Sequence, residues 1–478
     1  MTTGTAPDLA ALAALRDRLT GALALPDESG YALAIPWNVA IPVRPAAVVA
    51  AATAQDIAET LGAAQALGLR VAVQCTGHGA GELGHDTVLV HTAGLDTCEI
   101  DPDNRTARID AGVRWQQVLN AATPHGLTPL VGSSPGVGAI GFLTGGGVGP
   151  MVRTYGLSAD HVRSFEVVTG DGEVRRASDQ ENPELFWALR GGKSAVGIVT
   201  EMETELPEFY GGSLWFDGTD AAVVLPAWLA WCAALPTQGT TSIALVQAPA
   251  MPGIPPVLVG KLTVSVRFVW TGDPAEGARQ LAALRAVATP LLDGIGLLPY
   301  DQIAAVHQDP TDPLPLHEGT LLLIDLPARA VDALLVVAGI GSGSPQIIVE
   351  VRQLGGALNR PDAPDCAFSH RQAAFSLLVI GIEAPPIAEA VAEHCARVVA
   401  ALQPWSTGGV FPNFGSRAPA EQRYVGPTLE RLREVAKKYD PAGVLDGGQR
   451  LREPSVDLRD LARKLPLTNP AGRLARST

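Results

Sequence analysis

The chain has 478 residues, 47% of them hydrophobic, and a formal net charge of -14. That length fills two well-packed domains and exceeds one ordinary core, and an acidic chain without a basic stripe excludes nucleic acid and anionic membranes as partners. Five scattered cysteines (Cys75, Cys98, Cys232, Cys366 and Cys395) form no CxxC pair, which argues against a disulfide scaffold and structural zinc, so no metal is expected.

Leu9, Leu12, Leu15 and Leu19 fall at helical spacing. Asp8, Arg16, Asp17 and Arg18 lie among them, so Met1 to Leu25 reads as an amphipathic helix rather than a signal peptide. No apolar run approaches the roughly 20 residues that span a bilayer, and a cytoplasmic protein is expected. From Arg44 to Leu206 strand and helix patterns mix. Ala46 to Ala51 is a short apolar run. Thr53 and Asp56 have capping-box spacing for a helix through about Leu67. Leu69 to Gln74 and Thr87 to His91 read as strands. Cys98 to Ile100 and Thr106 to Asp110 flank a hairpin turn at Pro102-Asp103-Asn104, and Ser164 to Thr169 and Glu173 to Ala177 flank another at Gly170-Asp171-Gly172. Arg114 to Thr123 and Glu184 to Arg190 are helical, and Gly197 to Leu206 alternates as a half-buried strand.

From about Gly211 the pattern changes. Thr241 to Gln247, Leu262 to Trp270, Thr320 to Leu326, Gln346 to Leu354 and Ala374 to Ile382 are strand-like, separated by helices such as Pro274 to Ala288 and Ile387 to Ala401. This predicts an antiparallel sheet covered by helices. Thr428 to Tyr439 is a last helix, and the tail after Leu451 is charged and proline-bearing. The fold class is α+β.

Two glycine-rich segments carry the chemistry. Gly132 to Gly149 has glycine at eight of its eighteen positions, a density that costs backbone entropy and lets N–H groups close around an anion. Val137, Ile140, Phe142, Leu143 and Val148 interrupt it, unlike a flexible linker. Its Gly136-Val-Gly-Ala-Ile-Gly141 matches GxGxxG but follows Ser133-Ser134-Pro135 rather than a strand, so a Rossmann turn is rejected. Gly192-Lys193-Ser194 resembles the end of a phosphate-binding P-loop, but Trp187 stands where its first glycine belongs. The other segment, Gln74-Cys-Thr-Gly-His-Gly-Ala-Gly81, follows a strand. Two such loops suggest one diphosphate-bearing cofactor gripped from both sides.

These residues resemble the FAD-linked oxidases of the vanillyl-alcohol oxidase/p-cresol methylhydroxylase superfamily, in particular its berberine bridge enzyme-like branch. Gly77-His78-Gly79 resembles the loop whose histidine bonds to the flavin. Val137 to Gly149 resembles the second cofactor loop, and Tyr155-Gly-Leu-Ser-Ala-Asp160, Glu184 to Gly192, Gly197 to Thr200, Leu354 to Ala357, Phe368 to Arg371, Asn413-Phe414 and Lys438 to Pro441 follow in the family's order. The resemblance implies a two-lobed FAD-binding domain of PCMH type over residues 1–210 (core about 41–209), a substrate domain over 211–404, a return to the FAD domain over 405–452 and a tail over 453–478. It implies FAD bonded covalently through His78 alone, since Ser134 stands where relatives carry a second linking cysteine. Gln74, Cys75, Thr76, Gly77, Gly79 and Ala80 would contact the cofactor from one loop, and Ser133, Ser134, Val137, Gly138, Gly141, Phe142, Gly145, Gly146 and Gly147 from the other. Gly197, Val199, Asn413 and Phe414 would complete the set.

The family's usual basic tyrosines are replaced here by Phe411 and Val148, and Val379 and Ile380 stand where a polar strand residue commonly faces the flavin. The catalytic candidates are therefore Glu350 and Arg352, two apart on one strand and so on one face, with a solvent-side ion pair as the alternative. Tyr155 is a third candidate, with packing as its alternative. His307 and His317 lie in a Pro- and Asp-rich loop that reads either as a pocket lining or, the favoured alternative, as carrying exposed histidines, and His370 and Arg371 read as structural. Valine at position 137 resembles the oxygen-reactive members of the family. The expected activity is an oxidase that takes hydride from a small organic substrate, such as an alcohol, sugar or secondary metabolite, and passes electrons to O2. An oxygen-insensitive dehydrogenase and a non-catalytic flavin-binding protein are the alternatives. Substrate identity and oligomeric state stay open.

Overall fold

The computed structural model describes residues 9–205, 210–250, 254–298, 302–414 and 418–452. Strands β1 (Ala22–Ala24), β2 (Ala47–Ala50), β3 (Arg70–Gln74) and β4 (Thr87–His91) form a sheet in the order β1-β2-β4-β3. Its β2–β4 and β3–β4 pairs are parallel, as the crossover helix Ala54–Leu67 requires. That helix begins with the predicted capping box between Thr53 and Asp56. Strands β5 (Cys98–Asp101), β6 (Thr106–Asp110), β7 (Val162–Val168), β8 (Val174–Ser178) and β9 (Ile198–Glu205) make a second, antiparallel sheet ordered β5-β6-β9-β7-β8. Both predicted hairpins are present in it.

The second half builds one seven-stranded antiparallel sheet, β13-β10-β12-β11-β15-β16-β14. Its strands are β10 (Tyr210–Asp217), β11 (Gly239–Gln247), β12 (Leu262–Trp270), β13 (Leu292–Asp293), β14 (Leu316–Leu323), β15 (Ile348–Gln353) and β16 (Phe375–Ile382). Helices Ala221–Ala234, Pro274–Arg285, Ala328–Ala338 and Ala388–Leu402 cover one face. There Val349, Val351, Leu377 and Val379 pack with Trp228, Leu334 and Val398. The alternate residues Ile348, Glu350, Arg352, Leu378 and Ile380 face the other way and line a cavity. Helix Gly426–Tyr439 then returns to the first half, where Leu429, Leu432 and Val435 join its core.

Several contacts fix the halves against each other, among them two made by arginines. Arg153 donates to the carbonyls of Gly239 and Leu235 and to Gln353 Oε1, and Arg371 pairs with Asp160. These place Arg371 in a structural role, as its sequence context suggested.

Several expectations need correcting. Among the described residues the N-terminal helix runs over Leu9–Ala13 and tightens into a 3-10 turn over Ala14–Arg18, so it does not continue to Leu25. β14 begins at Leu316 rather than Thr320, because His317, Glu318 and Gly319 interrupt the apolar run that sequence patterning reads. His317 is therefore a strand residue, partly shielded beside Glu383. His307 ends a short helix and is buried, so neither is an exposed loop histidine. Glu350 and Arg352 are not on a solvent face: they are 1% and 8% exposed. The tail expected over 453–478 lies outside the described residues.

Candidate active site

A cavity of about 370 Å³ lies between the two glycine-rich loops and the uncovered face of the seven-stranded sheet. The first loop leaves β3 at Gln74, whose side-chain amide donates to the Leu33 carbonyl and holds the turn. Gly77 has φ +73, and a Cβ there would stand 2.6 Å from Pro36 Cα, so only glycine lets the loop lie against residues 36–37. Beyond it, the backbone N–H groups of Thr76, Gly77, His78 and Gly79 find no acceptor among the described residues. A run of unclaimed N–H groups is an anion nest.

The second loop closes on the first at Gly138. Its N–H donates to Thr76 Oγ1 at 3.4 Å, and a Cβ on it would meet Cys75 Sγ at 2.9 Å. Gly79 and Gly141 both line the cavity, and a Cβ on either would meet nothing within 4 Å. The two loops thus present bare backbone to one space, a cradle that suits a diphosphate and an attached planar ring.

His78 lies in this cradle. Its imidazole stacks on the Trp37 indole, ring centroids 4.7 Å apart, and Thr76 Oγ1 sits 2.8 Å from its Nδ1. Burial, with a smaller push from the Arg114 charge, brings its pKa down to about 4 against an opposing pull from Asp309. The ring is therefore neutral at pH 7, with a lone pair available for bonding to carbon.

Lys193, in the left-handed region at φ 58, also lines the cavity. Its ammonium donates to the Gly141 carbonyl at 2.9 Å and to Asn413 Oδ1, while Asn413 Nδ2 donates to the Phe142 carbonyl at 3.0 Å. Both side chains thereby satisfy carbonyls at the end of the short helix Ala139–Leu143. Lys193 has some accessible surface, but it opens onto the cavity. Enclosure by protein, followed by the nearby Arg423 charge, pushes its pKa down to about 7.

At the sheet side, Glu350 Oε1 accepts from Ser242 Oγ at 2.7 Å and pairs with Arg267 Nη1 at 2.6 Å. Its Oε2 receives Arg352 through Nε at 2.9 Å and Nη2 at 2.8 Å. His307 Nε2 stands 3.5 Å from Oε1. Burial alone would raise the Glu350 pKa, but Arg352 and Arg267 hold it well below the usual carboxylate range. Burial lowers the His307 pKa and Glu350 only partly opposes it.

The structure brings together most of the predicted residues. Gln74, Cys75, Thr76, Gly77, His78, Gly79 and Ala80 line the cavity from the first loop; Ser133, Ser134, Val137, Gly138, Gly141 and Phe142 do so from the second. Glu350, Arg352, Asn413 and Phe414 close the far side. Six candidates are not among the cavity-lining residues. Gly145 backs onto Asn413 and Lys193, Gly146 onto Phe368 and Gly147 onto Ser158. Gly197 packs on Val167, Val199 is buried in the first core, and the Tyr155 ring meets His161 edge-on. Sequence reasoning missed Trp37, Lys193 and Asp309, all of which line the cavity. Lys193 left a trace in the P-loop-like tripeptide; Trp37 and Asp309 left none.

A family described as FAD binding domain matches residues 45–178. The chain is 29% identical over 306 residues to an (R)-6-hydroxynicotine oxidase of Paenarthrobacter nicotinovorans, an alignment that covers 61% of this chain and 64% of that protein. It thus spans under two thirds of that relative's length. A crystal structure of 6-hydroxy-D-nicotine oxidase from Arthrobacter nicotinovorans superposes with a TM-score of 0.79 at 24% identity, over 90% of this chain and 97% of the other. The protein BBE-like 1 of Physcomitrella patens does so at 0.78 and 19%, over 92% and 98%. The fold is the one these two proteins share.

Proposed function

We propose that this chain, with an FAD binding domain over residues 45–178, is an FAD-dependent oxidase of a small organic substrate, with the flavin bonded covalently through His78. One observation carries this reading. Unclaimed backbone N–H groups, bare glycine backbone and a neutral imidazole all meet one cavity whose opposite wall is a separate sheet. FAD, when bound, supplies hydride acceptance. The protein's own work is to hold, orient and shield.

The Thr76–Gly79 nest would hold the diphosphate. Trp37 and Thr76 would orient His78 toward the ring. Phe142, Phe411 and Phe414 would keep water from the reacting carbon, since all three line the cavity. Glu350 is a poor proton acceptor, because two arginines stabilise its ionised form. It is better read as the anchor of Arg352. Lys193, with a pKa near 7, suits the removal of a proton from a substrate O–H or N–H close to neutral pH. Val137 lines the cavity, and its likeness to oxygen-reactive relatives favours O2 as electron acceptor, with hydrogen peroxide as product. Five free cysteines fit a reducing, cytoplasmic setting.

The test is the purified protein itself. Acid-precipitated protein should be yellow, with an added mass matching FAD, and His78→Ala should release its colour into the supernatant. Oxidised substrate should appear with an equal amount of hydrogen peroxide. Protein that shows no visible absorbance and takes up no added flavin would overturn the proposal.

A further inference from the structure

The cavity wall opposite the glycine loops is patterned. Across the sheet, Arg267 pairs with Ser242, Ser242 with Arg352, and Arg352 with Ser376, giving one continuous polar row. Two residues along the strands, Glu350 pairs with Leu378; two further, Ile348 pairs with Ile380. Ile348, Leu378 and Ile380 all line the cavity, as does Arg352. On the sheet wall, the apolar side chains of Ile348, Leu378 and Ile380 therefore lead up to the guanidinium of Arg352.

The charges around that guanidinium do not cancel. Arg267 and Arg352 each bring a guanidinium cation, the arginines keep Glu350 ionised, and burial keeps His307 neutral at pH 7. Two cations against one carboxylate leave a net positive charge in a buried cluster, which is costly without a counter-ion. The geometry also leaves a donor over. Glu350 engages Arg352 through Nε and Nη2, and Arg352 Nη1 has no acceptor among the described residues, though it is not sealed from solvent. The guanidinium is held in place by Glu350 on one side and by the Phe414 ring, 5.1 Å away, on the other. A fixed, partly unclaimed guanidinium is the arrangement that recognises an oxyanion. Of the cavity's other carboxylates, Asp446 is already paired with Arg70 and Arg450. Glu318 pairs across β16 with Ile380, in the row of Ile348, which sets it roughly 16 Å from Arg352 by strand spacing. Asp309 acts on His78, at the glycine-loop side.

We propose that Arg352 determines specificity by receiving the carboxylate of a substrate whose apolar body rests on Ile348, Leu378 and Ile380. The substrate class is thus a hydrophobic organic acid rather than a neutral sugar or an amine. This inference rests on the reading of the cavity as a flavin-dependent site, and the experiment separates the two.

Three probes of one shape, sodium benzoate, benzyl alcohol and benzylamine, are titrated calorimetrically into the purified full-length protein, with flavin content read from the visible spectrum of the same samples. Benzoate should bind at least tenfold more tightly than benzyl alcohol, and benzylamine more weakly than either. A charge-assisted bond of this kind shifts affinity by about 10- to 100-fold. Arg352→Met should bring benzoate to the level of the alcohol and leave the alcohol unchanged, and Arg352→Lys should keep part of the preference. The wild-type ranking stands as a test even if Arg352→Met fails to fold. Benzoate binding no tighter than the alcohol, or unaffected in a folded Arg352→Met protein, would overturn the inference. A colourless protein that still prefers benzoate through Arg352 would remove the flavin reading alone; a yellow one indifferent to benzoate would remove the inference alone.

Discussion

The indole of Trp37 lies nearly parallel to the imidazole of His78, their planes inclined by 16°. The two residues are brought together by the turn at Gly77, whose backbone touches Pro36 and Trp37 where a side chain would collide. A stacked pair is worth about 0.5–1.5 kcal/mol beyond its buried area, and here it fixes the plane of the ring that would bond to the flavin. Trp37→Leu should slow covalent attachment roughly two- to tenfold, and Trp37→Phe should slow it less. The check is the fraction of polypeptide carrying the FAD mass after timed incubation of flavin-free protein with FAD. Equal rates in all three proteins would show that the stack plays no part in attachment.

His78 also sets a pH dependence. Its folded pKa is about 4, below the ordinary 6.5, so the unfolded chain binds the extra proton between those values. Stability from this group is therefore full above pH 6.5 and lost as pH falls from 6.5 through 4. The same shift keeps the imidazole a nucleophile in mild acid. Attachment of FAD should proceed at an undiminished rate at pH 5.5, where free imidazole is mostly protonated, and decline toward pH 4. A rate profile with its midpoint near 6.5 would contradict the buried, neutral ring.

Lys193 gives the activity profile its acid limb. With a pKa of about 7, its neutral form grows as pH rises from 6 to 8, and kcat/KM should rise with it before levelling. Lys193→Met should flatten that limb and lower kcat/KM by roughly 10²–10⁴, the usual weight of a positioned base. Lys193→Arg should be equally impaired, because a guanidinium keeps its proton. The readout is kcat/KM against pH for all three proteins. A wild-type limb that survives in Lys193→Met would assign the proton transfer to another group. The sign for stability is opposite to that of a paired lysine: the unfolded chain holds the proton up to about 10.5, so stability from this residue increases with pH from 7 to 10.5.

The local structure of the first half was readable because its signals are local. The capping box at Thr53 and Asp56, the hairpin turns and the glycine loops each act within a few residues. The sheet of the second half was readable in outline, since most helix-facing residues of its strands are apolar, with Thr241 and Gln353 as exceptions that bond to the covering helix. Its cavity face was not, because polar residues there look the same in sequence whether they meet water or each other. Glu350 and Arg352 illustrate this. Their shared face follows from strand period alone, yet their burial depends on Arg267, Ser242 and His307, which other strands and a distant helix supply. Trp37 and Asp309 reach the cavity from irregular segments over two hundred residues apart in sequence, so no periodicity could place them.

Glu350 is where that hidden network is most exposed to a measurement. Among the described residues its carboxylate is the one acidic partner of the two buried arginines, so removing the charge strands both. Glu350→Gln should destabilise the protein by about 3–5 kcal/mol, the usual result of breaking one side of a buried ion pair, whereas Ser242→Ala, which removes one neutral donor from Glu350 Oε1, should cost only about 1 kcal/mol. The pH dependence separates this from a simple packing defect. The folded pKa of Glu350 lies well below the unfolded value of 4.5, so its contribution is present above pH 4.5 and lost as pH falls below it. Denaturant unfolding at pH 7 and at pH 3.5 should therefore show the wild type losing more stability in acid than Glu350→Gln does, with the gap between the two proteins narrowing. A gap that stays constant between these pH values would mean that Glu350 stabilises the fold by shape and not by charge, and Arg352 would then lack the anchored carboxylate that holds it to the cavity wall.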